Sequence, residues 1–121
     1  MRQVIIKHHM PNSFIEIGDL DSLERFLAQA NASPVLILKH SNTCGVSSRA
    51  YAEMSSLDRP VGLLTVQNAR DVSDEIEKRW NIAHETPQVL IIREGKLVWD
   101  ASHFRIRAEA VEAALLEISG Q

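Results

Sequence analysis

Cysteine is nearly absent from this chain: among 121 residues there is one, Cys44. A single cysteine makes no internal disulfide, which excludes a disulfide-stapled scaffold and confines thiol chemistry to one position. Long apolar runs are missing as well, and none approaches the roughly 20 residues of a membrane span. No basic segment leading into an apolar core and a cleavage site opens the sequence, so the expected compartment is a reducing cytoplasm and no membrane partner is expected. Positive charge is not in excess. With 13 Lys and Arg against 16 Asp and Glu the formal net charge is −3, which gives no basic field to attract a phosphate backbone, and nucleic acid is not an expected partner. Internal repeats and low-complexity stretches are absent too.

What is present suits one ordinary domain. At 121 residues, with 45% hydrophobic and 24% charged, the chain is long enough for one core and too short for two. Residues 1–13 read as an N-terminal extension, with Val4-Ile5-Ile6 as a possible extra strand, and residues 14–121 as the domain. His8 and His9 lie side by side in a linker-like stretch, where they do not converge as metal ligands would, and no metal is expected.

The stretch around Cys44 is the most informative. Val35-Leu36-Ile37-Leu38 is an unbroken aliphatic run after Pro34, as in a strand buried on both faces. It runs through Lys39, His40, Ser41, Asn42 and Thr43 into Cys44, after which Val46, Ala50, Met54 and Leu57 recur at helical spacing. Cys44 is thereby placed in the first turn of a helix, where unpaired N–H groups and the helix dipole favour thiolate over thiol. A free cysteine is otherwise among the most buried and inert residue types. The hydroxyls and amides around Cys44 argue for a reactive thiol instead.

The remaining elements follow from periodicity and punctuation. Phe14-Ile15-Glu16-Ile17 reads as a first strand, and Asp21 as the cap of a helix striped by Leu23, Phe26, Leu27 and Ala30. Val61 to Val66 is another buried strand, and Asp71 or Ser73 is expected to cap a helix carrying Val72, Ile76 and Trp80. Thr86-Pro87 leads into Gln88 to Ile92, Gly95 marks a tight hairpin to Leu97-Val98-Trp99, and Ala108, Val111, Leu115 and Ile118 stripe a last helix. The order is β-α-β-α-β-α-β-β-α, an α/β class with a mixed central sheet and helices on both faces.

This order, the helix-start cysteine and the Thr86-Pro87 step together resemble the thioredoxin fold. The resemblance implies a cis Thr86–Pro87 bond beside Cys44, with the Thr86 backbone pairing with bound substrate. Within that superfamily, Lys39-His40-Ser41-Asn42-Thr43-Cys44-Gly45-Val46-Ser47 is similar to the active-site segment of the monothiol bacilliredoxins. Thr86-Pro87-Gln88 with Gly95-Lys96-Leu97-Val98-Trp99-Asp100-Ala101-Ser102-His103-Phe104 resembles their C-terminal signature. The match spans roughly residues 14 to 118, and this chain departs from it in having Gly45 where the family commonly has proline. The resemblance implies a monothiol thiol–disulfide oxidoreductase that removes bacillithiol from mixed disulfides on client proteins. Bacillithiol is then a co-substrate, and no cofactor is bound.

In Cys-x-x-Ser chemistry Cys44 is the expected nucleophile. Ser47 cannot resolve a mixed disulfide as a second cysteine would, but its hydroxyl can donate to the thiolate. Thr43, Gly45, Thr86, Pro87, His40 and His103 are the expected substrate-binding residues. His84 is a further histidine candidate, and Lys39 an electrostatic one. Two other readings stay open. Cys44-Gly45-Val46-Ser47 is also close to the Cys-Gly-Phe-Ser site of monothiol glutaredoxins that carry iron–sulfur clusters, although their glutathione-binding Gly-Gly is missing from Trp99-Asp100-Ala101-Ser102-His103. A thioredoxin-like binding module without turnover would require an inert Cys44.

Overall fold

The computed structural model describes residues 14–29, 33–43 and 45–120. The expectations for residues 1–13, for Ala30 and for Cys44 itself fall outside the described residues. The elements are β1 (Phe14–Glu16), α1 (Leu20–Ala28), β2 (Val35–His40), α2 (Gly45–Ser55), β3 (Val61–Thr65), α3 (Arg70–Trp80), β4 (Gln88–Arg93), β5 (Lys96–Ser102), a 3-10 turn (His103–Arg105) and α4 (Ala108–Ser119). The order is the one read from the sequence. Strands lie in the order β1-β3-β2-β4-β5. β1, β3 and β2 run parallel, while β4 and β5 run antiparallel to their neighbours.

Strand alternation divides the core into two layers. Leu36 and Leu38 of β2, with Val89 and Ile91 of β4, face α2 and α4 through Ala50, Met54, Val111, Leu115 and Ile118. Ile37, Leu90 and Ile92 face the other way, onto Leu23 and Phe26 of α1 and Val72 and Ile76 of α3. Lys39 follows the same parity and points to the α1/α3 layer, although it carries a charge. The hairpin between β4 and β5 turns through Glu94 and Gly95, with φ of 53° and 78°. Two successive left-handed residues suit the twist of a two-residue turn.

Two helix starts differ from expectation. Asp19, not Asp21, caps α1: its side chain accepts from the Ser22 N–H at 2.8 Å, and the Ser22 hydroxyl accepts from the Asp19 N–H at 3.1 Å. The helix starts early enough that Ser22, at the third helical position, completes the capping box. At α3 neither Asp71 nor Ser73 caps, because the helix begins at Arg70 behind Ala69. Asp71 accepts only from the adjacent Val72 N–H, and Ser73 is buried inside the helix. α4 is capped across the fold instead: the Glu53 carboxylate of α2 accepts from the Ala108 N–H at 2.7 Å. Among the described residues no helix is long and apolar enough to cross a membrane.

Gly62 on β3 lies against Ile17 and the Phe26 ring of α1. A Cβ there would lie 2.6 Å from Ile17 Cδ1 and 2.9 Å from the Phe26 ring. Gly62→Ala is expected to destabilise the fold by about 1–3 kcal/mol, the usual range for overpacking. Chemical denaturation checks this; an unchanged midpoint would mean that Phe26 swings aside freely.

Candidate active site

The sheet register brings several loops to one edge. Lys39 of β2 pairs with Leu64 of β3 on one side and Gln88 of β4 on the other, and Gln88 pairs with Ser102 of β5. Strand ends β2, β3 and β5 and the start of β4 therefore lie in one row. The turns at residues 41–43, 66–69, 84–87 and 103–105 all leave from that row. The carboxyl ends of parallel strands are where open α/β sheets place their sites.

The loop preceding Cys44 is held by a hydroxyl network. Ser41 Oγ and Thr43 Oγ1 lie 3.2 Å apart, and Gln67 Nε2 donates to them at 2.7 and 3.3 Å. Gln67 Oε1 accepts from the Asn42 N–H at 3.3 Å. One side chain beyond the end of β3 thus fastens three consecutive residues of the loop. Ser47, in the first turn of α2, is fully buried, and its Oγ accepts from the Ser41 N–H at 3.3 Å. Gly45 is exposed with open space around it, so a Cβ would meet nothing within 4 Å.

The Thr86–Pro87 peptide bond is cis, as the fold resemblance implied. Thr86 is half-buried and Pro87 buried. The Pro87 carbonyl accepts from the His103 N–H at 3.0 Å, which ties the turn after β5 to the proline loop. His103 adopts φ of 57°, and its Nε2 lies 3.2 Å from Glu85 Oε1. Histidine is one of the few side chains that take the left-handed region without severe cost. Phe104 beside it is 64% exposed, with the Arg49 guanidinium of α2 5.9 Å from its ring centroid. Thr86, Pro87, Glu85 and His103 therefore share one wall.

His40 is placed differently. Its ring packs 5.4 Å from Tyr51 on α2, and its Nδ1 is buried without a hydrogen-bond partner among the described residues. Burial holds the imidazole below its ordinary pKa, and the Ser47 backbone opposes this only in part. On the opposite face of the strand, the Lys39 side chain is fully buried and its Nζ lies 2.8 Å from His84 Nδ1. Desolvation lowers the Lys39 pKa to about 8, with Glu77, Glu85 and Asp74 pulling it back up. His84 is also lowered, first by burial and then by the Lys39 charge. Ser73 Oγ lies 3.3 Å from the same His84 nitrogen.

Sequence reasoning missed Gln67 altogether. Its only signal was its place just past the carboxyl end of a parallel strand. The Lys39–His84 pair was legible by half: a charge ending an aliphatic strand foretells burial, but not its partner.

Comparisons with known proteins bear on the family and the fold. A family model described as Monothiol bacilliredoxin BrxC matches residues 15–111. The fold is similar to that of a thioredoxin-fold protein proposed to be an oxidoreductase, with 32% identity and a TM-score of 0.78 over 84% of this chain and 92% of that one. It is also similar to Fasciola hepatica thioredoxin, at 11% identity and a TM-score of 0.71 over 85% and 97% of the two chains. Schistosoma mansoni thioredoxin matches at 18% identity and 0.69, over 87% and 94%. The last two likenesses show the fold alone. The family match covers most of the chain and includes the Cys44 loop, the cis-proline loop and the His103 turn, so the chain belongs to the monothiol bacilliredoxin family of thioredoxin-fold thiol–disulfide oxidoreductases.

Proposed function

We propose that this protein removes bacillithiol from mixed disulfides on client proteins, working in the cytoplasm with Cys44 as nucleophile. The Cys44 thiolate attacks the bacillithiol sulfur of the client disulfide; the client thiolate leaves and bacillithiol remains on Cys44. Free bacillithiol, as its thiolate, then attacks the bacillithiol sulfur of that adduct. Bacillithiol disulfide departs and the Cys44 thiolate returns. Each step trades one disulfide for another and one thiolate for another, so bacillithiol serves as co-substrate and no resident cofactor takes part.

The observation that carries this reading is Ser47. Its buried oxygen already accepts from the Ser41 N–H, which leaves the hydroxyl proton to be donated to the Cys44 sulfur. No second thiol stands at that position to expel the small thiol. Thr43 and Gly45 flank Cys44 as substrate contacts, and the Thr86 backbone, Pro87 and His103 supply the opposite wall. His40 backs the loop from the end of β2.

The direct test is to incubate a bacillithiolated protein with this protein and bacillithiol, following release and the mass of the Cys44 peptide. Catalysed release and one bacillithiol on Cys44 are expected. No acceleration and no adduct would refute the reading. Ser47→Ala is expected to slow release roughly tenfold or more without abolishing it, since one hydrogen bond to a charged group is lost. It should also cost about 1–3 kcal/mol of stability, because the Ser41 N–H loses its partner. Rapid-quench kinetics and denaturation separate the two effects.

A further inference from the structure

A second feature lies against the loop before Cys44, through Gln67, and reaches the start of the cis-proline loop at His84. A cavity of about 320 Å³ opens between the end of β3, α3 and the His84 loop, lined by Gln67, Arg70, Ser73, Asp74, Glu77 and His84. This is within the range of small-molecule sites. Arg70, Asp74 and Glu77 recur at i, i+4 and i+7 and so share one face of α3. They set a guanidinium at one end of the cavity and two carboxylates further along.

The wall at His84 is polar. His84 Nδ1 is taken up by the buried Lys39 ammonium at 2.8 Å and lies 3.3 Å from Ser73 Oγ. With Lys39 donating to Nδ1, the neutral imidazole carries its proton on Nε2, which makes His84 a second donor toward a ligand. Gln67 connects the cavity to the reaction centre, because the same side chain holds Ser41, Asn42 and Thr43, the three residues before Cys44.

We propose that this cavity is the recognition subsite for the non-sulfur part of the small thiol: a compact group carrying a carboxylate together with ammonium or hydroxyl groups. Arg70 and His84 take the carboxylate, and Asp74 and Glu77 take the ammonium or hydroxyl donors. The choice of ligand rests on the exchange reading above. Specificity for the small thiol then resides on α3, and the client protein is met across the site by Thr86, His103 and the exposed Phe104.

S-methyl bacillithiol, which cannot exchange, is the probe. Titrated to about 10 mM against the full chain and followed by NMR, it is expected to give saturable shifts of Gln67, Arg70 and His84. Arg70→Glu, on an exposed side chain, is expected to weaken binding about tenfold or more, the scale of a charge-assisted pair. Shifts confined to Thr86, His103 and Phe104, or none at all, would overturn the subsite. Turnover measured in parallel keeps the two readings apart. Exchange without cavity shifts overturns the subsite alone, whereas cavity shifts without exchange support the subsite and overturn the exchange reading.

Discussion

Cys44→Ser protein is expected to release no bacillithiol from a bacillithiolated client above the uncatalysed rate. The loss is total because each half of the proposed cycle passes through a disulfide on that one sulfur, and an alcohol forms no such bond. Serine differs from cysteine by a single atom, so the thermal midpoint should move by no more than a few degrees. Mass spectrometry of the client reads the first result and a thermal melt the second. The same substitution separates exchange from cluster carriage. A bridging [2Fe–2S] cluster needs four ligands; two chains with one cysteine each would supply two and depend on external thiols for the rest. Protein purified without oxygen is therefore expected to be colourless. Stoichiometric iron and sulfide, lost with Cys44 and dependent on added glutathione, would replace exchange with carriage.

The second large effect concerns Lys39. Its ammonium is fully buried in the α1/α3 layer, and the His84 bond and the acidic side chains of Asp74, Glu77 and Glu85 offset only part of its lost hydration. Lys39→Met keeps most of the volume and removes the charge. It is expected to stabilise the protein at pH 7 by on the order of 1–4 kcal/mol, as replacing buried ionic groups by apolar ones often does.

The pH dependence fixes the sign. Lys39 titrates at about 8 in the folded protein against 10.5 for the ordinary side chain. Below pH 8 both folded and unfolded chains hold the proton, and the burial penalty is fully present. Between about 8 and 10.5 the unfolded chain binds more protons than the folded one, so the stability of the natural protein rises with pH. The advantage of Lys39→Met should shrink across that window and vanish above it. Denaturation at pH 7, 9 and 10.5 checks this, and a variant less stable at every pH would show that the Lys39–His84 bond outweighs the desolvation. A lysine whose burial costs stability points to function. The variant is accordingly expected to exchange bacillithiol more slowly while folding more firmly.

Sequence by itself determined the order of elements and the two sides of the sheet. Val35 to Leu38 form an unbroken aliphatic run, Val72 and Ile76 recur at helical spacing, and Gly95 closes a hairpin; each is a local signal, written within a few residues and readable as burial or a turn. It also placed the Cys44 loop at a strand-to-helix junction and Thr86-Pro87 at the mouth of β4. Helix caps were less legible. Asp19 and Asp21 are equally good acceptors in sequence, and only the backbone geometry before α1 selects Asp19.

What only the tertiary structure decided are the contacts across the sheet. Lys39 meets His84 over 45 residues of chain, and Gln67 meets Ser41 over 26. Periodicity states which face a side chain takes, but not which loop will stand above it. That depends on strand order and register, which place β2 between β3 and β4 and bring the turns after β3 and before β4 to the same edge. The polar cavity beside the Cys44 loop exists only because of that order.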